Sequence, residues 1–323
     1  PRRDGIDGSI STYNYEPSGS RRIVHFPDKS CRINTYGDSF THCDQVSDGE
    51  TWQQVLAAHL GEPVRNYGTS GHSVYQMYVR MKQMEPVTPA KYIIVNIYSD
   101  DHYRSLYSWP ALGMLLMKPD VVRGGTRRPP MPYVRVNVSK GILTECPNPC
   151  PDAESLYNLC DLNWVYDTFK TDFMTRLITT NREVLGNDPE IFKAAVLRLA
   201  EDCGVDLEDT QPEALNNAVS FIYDEAALFA SMRIVEKMEE YAVAHDKKIL
   251  YVLSHVSGHL ARALEDRSRF DQPFVDFLKE KNLPFIDLVD AHKEDFAKFR
   301  GTIGEYINRY YIGHYNPLGN HFT

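Results

Sequence analysis

From Arg32 onward, short apolar runs alternate with stretches of helical spacing, after a polar, turn-rich segment over residues 1–30 that reads as an arm. Arg32–Tyr36 (RINTY) predicts a first short strand, and Thr51–Leu60 (TWQQVLAAHL) a helix with an apolar face. Pro63–Tyr67 predicts a second strand and Ser73–Lys82 a second helix. Tyr92–Ile97 (YIIVNI) is apolar enough to be a strand buried on both faces. The rhythm then breaks. Residues 105–172 are rich in Pro, Tyr and Gly and show no steady period, and residues 175–245 have helical spacing interrupted at Gly186-Asn187-Asp188-Pro189 and at Gly204. Ala226–Ala244 reads as a strong amphipathic helix within that stretch. The strand-helix alternation resumes with Lys248–Leu253 (KILYVL), a helix near Gln272–Lys281 and a strand over Pro284–Leu288.

Five strands separated by helices imply a parallel sheet covered on both faces. The predicted fold is α/β, a three-layer α/β/α sandwich. One domain spans residues 31–323, with a large, mostly helical insertion at about 105–230. The insertion enters at a strand end, so a part in substrate selection is expected of it. Its aromatic residues, Tyr103, Tyr107, Trp109, Tyr133, Tyr157, Trp164 and Tyr166, suit either a lid or a core of its own.

Composition narrows the function classes. A net charge of -9 leaves no basic surplus to neutralise phosphates, which argues against a nucleic-acid binder. No run of about 18 apolar residues predicts a membrane-spanning helix. The chain opens on Pro1 rather than Met, which is compatible with a removed leader or anchor, so localisation is left open. Of the six cysteines, Cys146 and Cys150 flank a Pro-rich stretch, and their pairing in an oxidising compartment is left open. Cys31, Cys43 and Cys203 read as isolated thiols.

Ligands of open parallel sheets bind beyond the carboxyl ends of the strands, so the polar residues that follow each strand matter most. These are Gly37-Asp38-Ser39-Phe40-Thr41, Asn66-Tyr67-Gly68-Thr69-Ser70-Gly71, Ser99-Asp100-Asp101-His102 and, late in the chain, Gly313-His314-Tyr315-Asn316-Pro317-Leu318-Gly319-Asn320. His42, Asp44, Asp100, Asp101 and His102 are metal-ligand types. Neighbours on one loop rarely all face one ion, however, and no metal is expected. His255 and His259 (SHVSGH) read as solvated loop histidines, and His72 as a local turn contact.

In this order, GDSFT, NYGTSG, a strand ending in SDD and HYNPLGN resemble the four sequence blocks of the SGNH/GDSL hydrolases, whose fold is a flavodoxin-like α/β/α sandwich. The likeness is closest to a bacterial branch in which GDSFT is followed by V-x-D-x-E-T-W, here Val46–Trp52. It covers residues 32–104 well, 246–323 loosely and the insertion not at all. The resemblance implies Ser39 as nucleophile, His314 as its base, and an oxyanion hole from the amides of Ser39 and Gly71 with a third-block side chain. Asp38, Asp101 and Arg104 would lie at the same rim, Arg104 as an anchor for an acidic substrate group. It implies no cofactor and no metal, and a small-molecule or carbohydrate ester as substrate, cleaved through an acyl-enzyme. Transfer of the acyl group to a carbohydrate, and an inactive relative that only binds carbohydrate or acyl groups, remain as alternatives. It also implies a terminal helix beyond His314.

Two positions depart from the family. Asp100 stands where an asparagine normally donates into the oxyanion hole, and only a protonated carboxyl could do so. Tyr311 stands where the triad aspartate normally lies, three residues before His314. The orienting group is left open among a backbone carbonyl (a Ser39–His314 dyad), Glu305 or Asp287, and the Tyr311 hydroxyl.

Overall fold

The computed structural model describes residues 2–112, 129–181, 186 and 188–323; the parts of the predicted insertion and of its Gly186–Pro189 break at 113–128, 182–185 and 187 lie outside them. The chain divides into two compact units, Pro1–His102 with Ile234–Thr323, and Tyr103–Arg233. Among the described residues, no helix is long and apolar enough to cross a membrane.

The first unit carries strands β1 (Ile33–Gly37), β2 (Val64–Asn66) and β3 (Tyr92–Tyr98). Between and after them come helices α1 (Ser39–His42), α2 (Trp52–Leu60) and α3 (Val74–Met84), and α4 (Asp101–Arg104) starts in this unit and ends in the second. The second unit holds an antiparallel pair, β4 (Tyr133–Asn137) and β5 (Ile142–Cys146). Its helices are α5 (Leu162–Phe169), α6 (Phe173–Ile178), α7 (Pro189–Cys203) and the first part of α8 (Pro212–Ala244). The first unit then resumes with β6 (Lys248–Ser254), α9 (Ser257–Leu264), α10 (Gln272–Glu280), β7 (Phe285–Asp287), α11 (Leu288–Phe296), α12 (Ile303–Tyr310) and α13 (Pro317–Phe322).

All five strands of the first unit are parallel, in the order β2-β1-β3-β6-β7. The central sheet and flanking helices thus make the α/β fold expected from the sequence. Because β2 and β3 leave β1 on opposite sides, strand order reverses at the crevice between β1 and β3, where such sheets bind ligands. The register pairs Gly37 with Asn96 and Tyr98 with Ser254, so the chain segments after β1, β3 and β6 leave the sheet together.

Local chemistry explains the element boundaries. Thr51 caps α2 by accepting from Gln54 N, and Gly61 ends it in the left-handed region at φ 69°. Ser73 and Gln76 close a capping box on α3. One sheet face buries Ile33, Ile94 and Val252 against Cys43, Val46, Trp52, Ala57 and Leu288. Beyond the strand ends, Phe40 stacks on Tyr98 at 4.1 Å and meets Tyr315 edge-on at 5.0 Å. Such ring pairs contribute about 0.5–1.5 kcal/mol each and fix the position of the residue after Ser39.

In the second unit the hairpin β4–β5 was not read from the sequence, although Tyr133–Asn137 alternates buried and exposed residues. Leu112, Phe169, Met174 and Ile178 form a core joined by Tyr107, Trp109 and Trp164, whereas Tyr157 and Tyr166 are exposed. All six cysteines are free, so the pairing considered for Cys146 and Cys150 is not present.

Candidate active site

Strand β1 delivers Asp38 and Ser39 to the reversal point of the sheet. Asp38 is fully buried and caps α1: its Oδ1 accepts from Phe40 N at 2.8 Å, and its Oδ2 lies 3.2 Å from Ser39 Oγ. The short helix then packs onto the loop after β2. A Cβ at Gly68 would lie 2.1 Å from His42 N and 2.5 Å from the Thr41 carbonyl carbon, so only glycine permits this approach.

His314 reaches the same point from a tight loop in which Ile312 N donates to its carbonyl at 2.8 Å. Its Nε2 lies 2.8 Å from Ser39 Oγ and its Nδ1 lies 3.0 Å from Gln45 Oε1. Gln45 therefore occupies the place, at the far side of the ring, that the acid fills in a Ser-His-acid triad. The preceding Gly313 sits at φ 110°, where a Cβ would come within 2.9 Å of Gln45 Oε1.

The proton positions follow from the amide of Gln45. Its Oε1 also accepts from the backbone N–H of His314 at 2.8 Å, and its Nε2 donates to the Asp4 carbonyl at 3.0 Å. One partner can only donate and the other can only accept, so the amide has a single orientation. Oε1 then requires the His314 proton on Nδ1, which leaves the Nε2 lone pair facing the Ser39 hydroxyl. Removing this constraint has a defined expected result. Gln45→Ala should lower kcat for an activated ester roughly 10–10²-fold with little change in KM, measured by steady-state kinetics. A rate within twofold of the parent would exclude Gln45 as the orienting group.

The N-terminal segment builds much of this support. Tyr13 Oη accepts from Gln45 N at 2.7 Å, and Arg21, 2% exposed, reaches under the loop that carries Gln45. Its guanidinium donates to the carbonyls of His42 (2.8 Å), Cys43 (2.9 Å) and Val46 (3.1 Å) and pairs with Asp48 at 2.8 Å. Within that loop Cys43 and Gln45 both adopt left-handed backbone, at φ 62° and 74°, a conformation that needs such external holding. The segment expected to be an arm is thus part of the folded first unit.

A second polar chain runs beside the first. Tyr15 Oη lies 2.8 Å from His42 Nε2, His42 Nδ1 lies 2.5 Å from Asp44 Oδ1, and Ser70 Oγ donates to both Asp44 oxygens at 2.8 and 3.0 Å. Burial works to raise the Asp44 carboxyl, but the hydrogen bond and charge of His42, the Ser70 hydroxyl and the charge of His314 outweigh it and hold the group below the usual carboxylate range. Asp44 therefore stays ionised through neutral pH.

The remaining residues singled out in the sequence fall as follows. Gly71 is buried at φ 78°, in the loop whose Ser70 touches Asp44. Asp101 is buried and accepts from Tyr98 N at 2.9 Å, closing the end of β3. Asp100 is half-buried and its charge acts on His259. Arg104 ends α4 and is half-buried. The side chains considered as orienting groups are engaged away from His314. Tyr311 donates to the His255 carbonyl at 3.1 Å, Glu305 caps its own helix through Thr302, and Asp287 pairs with Arg269 and caps Val289. His255, expected to be solvated, is 5% exposed and sits between Asp271 and Arg269, each 3.2 Å from its Nε2.

Two residues were missed. Gln45 lies six residues after Ser39 and carries no motif, so its contact with His314 is visible only in three dimensions. Asn96, in β3 opposite Gly37, is 1% exposed; its Oδ1 accepts from Ser254 Oγ at 2.8 Å, and its Nδ2 has no partner among the described residues. An asparagine inside an apolar strand run (YIIVNIY) was the signal for it.

No family model matches the chain, and no curated protein does. Among solved structures, one that resembles it is from Desulfitobacterium hafniense DCB-2 and is described as a lipolytic protein of the G-D-S-L family. The two share 10% identity over 80% of this chain and 77% of that one, with a TM-score of 0.31, too loose an overlap to bear on function.

Proposed function

We propose that this chain is a serine-dependent ester hydrolase of SGNH type, with Ser39 as nucleophile, His314 as general base and then acid, and Gln45 as the group that orients the imidazole. One observation carries the reading: Ser39 Oγ stands 2.8 Å from an Nε2 whose lone pair is freed by the proton held on Nδ1. A serine hydroxyl is a weak nucleophile until a base accepts its proton, and this pairing supplies that base.

In the reaction Ser39 Oγ attacks the ester carbonyl as its proton passes to Nε2. The oxyanion of the tetrahedral intermediate is assigned to the backbone amides of Ser39 and Gly71. His314 then returns the proton to the departing alkoxide, the alcohol leaves, and Ser39 carries the acyl group. Water repeats the sequence and frees the acid. Asp100 is given no donor role in this scheme, which the two backbone amides complete. The substrate class is a small or carbohydrate-borne acyl ester. A carbohydrate alcohol in place of water would give acyl transfer from the same intermediate.

The test pairs turnover with covalent labelling. The protein should hydrolyse p-nitrophenyl acetate or butyrate and, treated with a fluorophosphonate, gain one adduct on the peptide that contains Ser39. Absence of both turnover and adduct would overturn the assignment, and an adduct on another serine would move it.

A further inference from the structure

Within the second unit, residues of β4, α6 and α7 line a cavity of about 150 Å³ that the serine-hydrolase reading does not use. Its floor is apolar and buried, formed by Leu106, Val134 and Leu199. Its mouth is polar: the side chains of Arg176 and Asp202 are 18% and 38% exposed, and Arg135 is exposed.

One wall is the edge of β4 that does not pair with β5. Val134 N donates to the Ser105 carbonyl and Val138 N to the Cys203 carbonyl, each at 2.9 Å. Every second residue of this strand therefore turns its N–H away from β5. Val136 stands midway between the two, lines the cavity and is 7% exposed, and its N–H has no partner among the described residues. A buried N–H left unpaired costs about as much as a lost hydrogen bond, so the position calls for an acceptor. Ser105 and Cys203 occupy the edge on either side, which leaves room for one acceptor and not for another strand.

The charged groups select the kind of acceptor. Arg176 Nε donates to Asp202 Oδ2 at 2.7 Å, and the terminal nitrogens of that guanidinium make no hydrogen bond among the described residues. Of the charged side chains lining the cavity, Arg135 and Arg176 are cationic and Asp202 is anionic, so the balance favours an anion. Burial pushes the Cys203 thiol up to about 12 and raises the Tyr133 phenol, so neither alters that balance. A cavity of this volume admits an apolar body about the size of a benzene ring.

We propose that the cavity binds a small organic carboxylate, one oxygen accepting from the Val136 amide and the other from the Arg176 guanidinium, with the apolar body on Leu106, Val134 and Leu199. The site stands apart from the serine-hydrolase reading and does not depend on it.

The test titrates the full chain, methyl-labelled at Leu and Val, with sodium benzoate and follows the resonances by NMR. The methyls of Val134, Val136 and Leu199 should shift saturably, and the Val136 amide proton should move downfield. Benzamide has the same shape without the charge and should bind at least about tenfold more weakly. Arg176→Gln should weaken benzoate about tenfold and leave benzamide unchanged, which separates a lost ion contact from a damaged cavity. Absence of saturable shifts at these methyls, equal binding of benzoate and benzamide, or undiminished benzoate binding by Arg176→Gln would each overturn the proposal. The comparison of the two ligands uses the parent chain, so it decides even if Arg176→Gln fails to fold.

Discussion

Ser39→Ala is expected to lower kcat for p-nitrophenyl acetate by at least about 10³-fold while leaving the unfolding midpoint close to the parent's. The loss is large because, among the described residues, no other hydroxyl is placed against His314 Nε2, and water at that position would lack a covalent intermediate. Little stability should go with it, since the partners of Ser39 Oγ are Asp38 and His314, and Asp38 keeps its bond to Phe40 N. A hydrogen bond of this kind contributes about 1 kcal/mol net. His314→Ala should fall to a similar residual rate, and the double variant should be no slower than either single one. Residues that act as one unit do not lose activity additively. What remains in all three comes from binding and the oxyanion donors. Steady-state kinetics on the three proteins decides the matter. Retention of a tenth of the parent rate by Ser39→Ala would remove it as nucleophile, and multiplicative losses would show that the two residues act separately.

The sheet was legible in the sequence because a parallel strand buried on both faces must be a continuous apolar run. Tyr92–Tyr98 and Lys248–Ser254 stand where their runs predict them. The helix starts were legible for a similar reason, since Thr51 and Ser73 are side chains that satisfy free N–H groups at helix ends. The β4–β5 hairpin was hidden because its second strand, Ile142–Cys146, is largely exposed and shows no alternation. In the candidate site, Ser39, just after β1, and His314, in the loop between α12 and α13, were visible as motif residues. Gln45 was not, because its role depends on two loops meeting 269 residues apart in the chain, and a glutamine in a polar loop has no signature. Nor did composition show that residues 1–30 are structural. Their polarity reads as solvation, whereas Arg21 is consumed by backbone carbonyls and one aspartate.

Removing that buried arginine should have a large effect on the stability of the first unit. Arg21→Ala should cost about 3–5 kcal/mol, the range for removing one partner of a buried ion pair. The substitution leaves Asp48, 7% exposed, without its cation, and the carbonyls of His42, Cys43 and Val46 without their donor. Asn14 continues to donate to Asp48 at 2.7 Å, which keeps the cost inside that range rather than above it. Arg21→Lys should recover only part of the loss, because one ammonium has three donors and cannot reproduce a planar fork that spans four acceptors. The same change should reach the chemistry. Cys43 and Gln45 hold left-handed backbone within the loop that Arg21 clamps, and relaxation there would carry Gln45 away from His314. Urea unfolding followed by circular dichroism measures the first effect, and kcat measured well below the unfolding midpoint measures the second. A loss under about 1 kcal/mol would mean that the loop is held by its own contacts. A destabilised variant with unchanged kcat would mean that the geometry around Gln45 is fixed by Asp4 and Tyr13 alone.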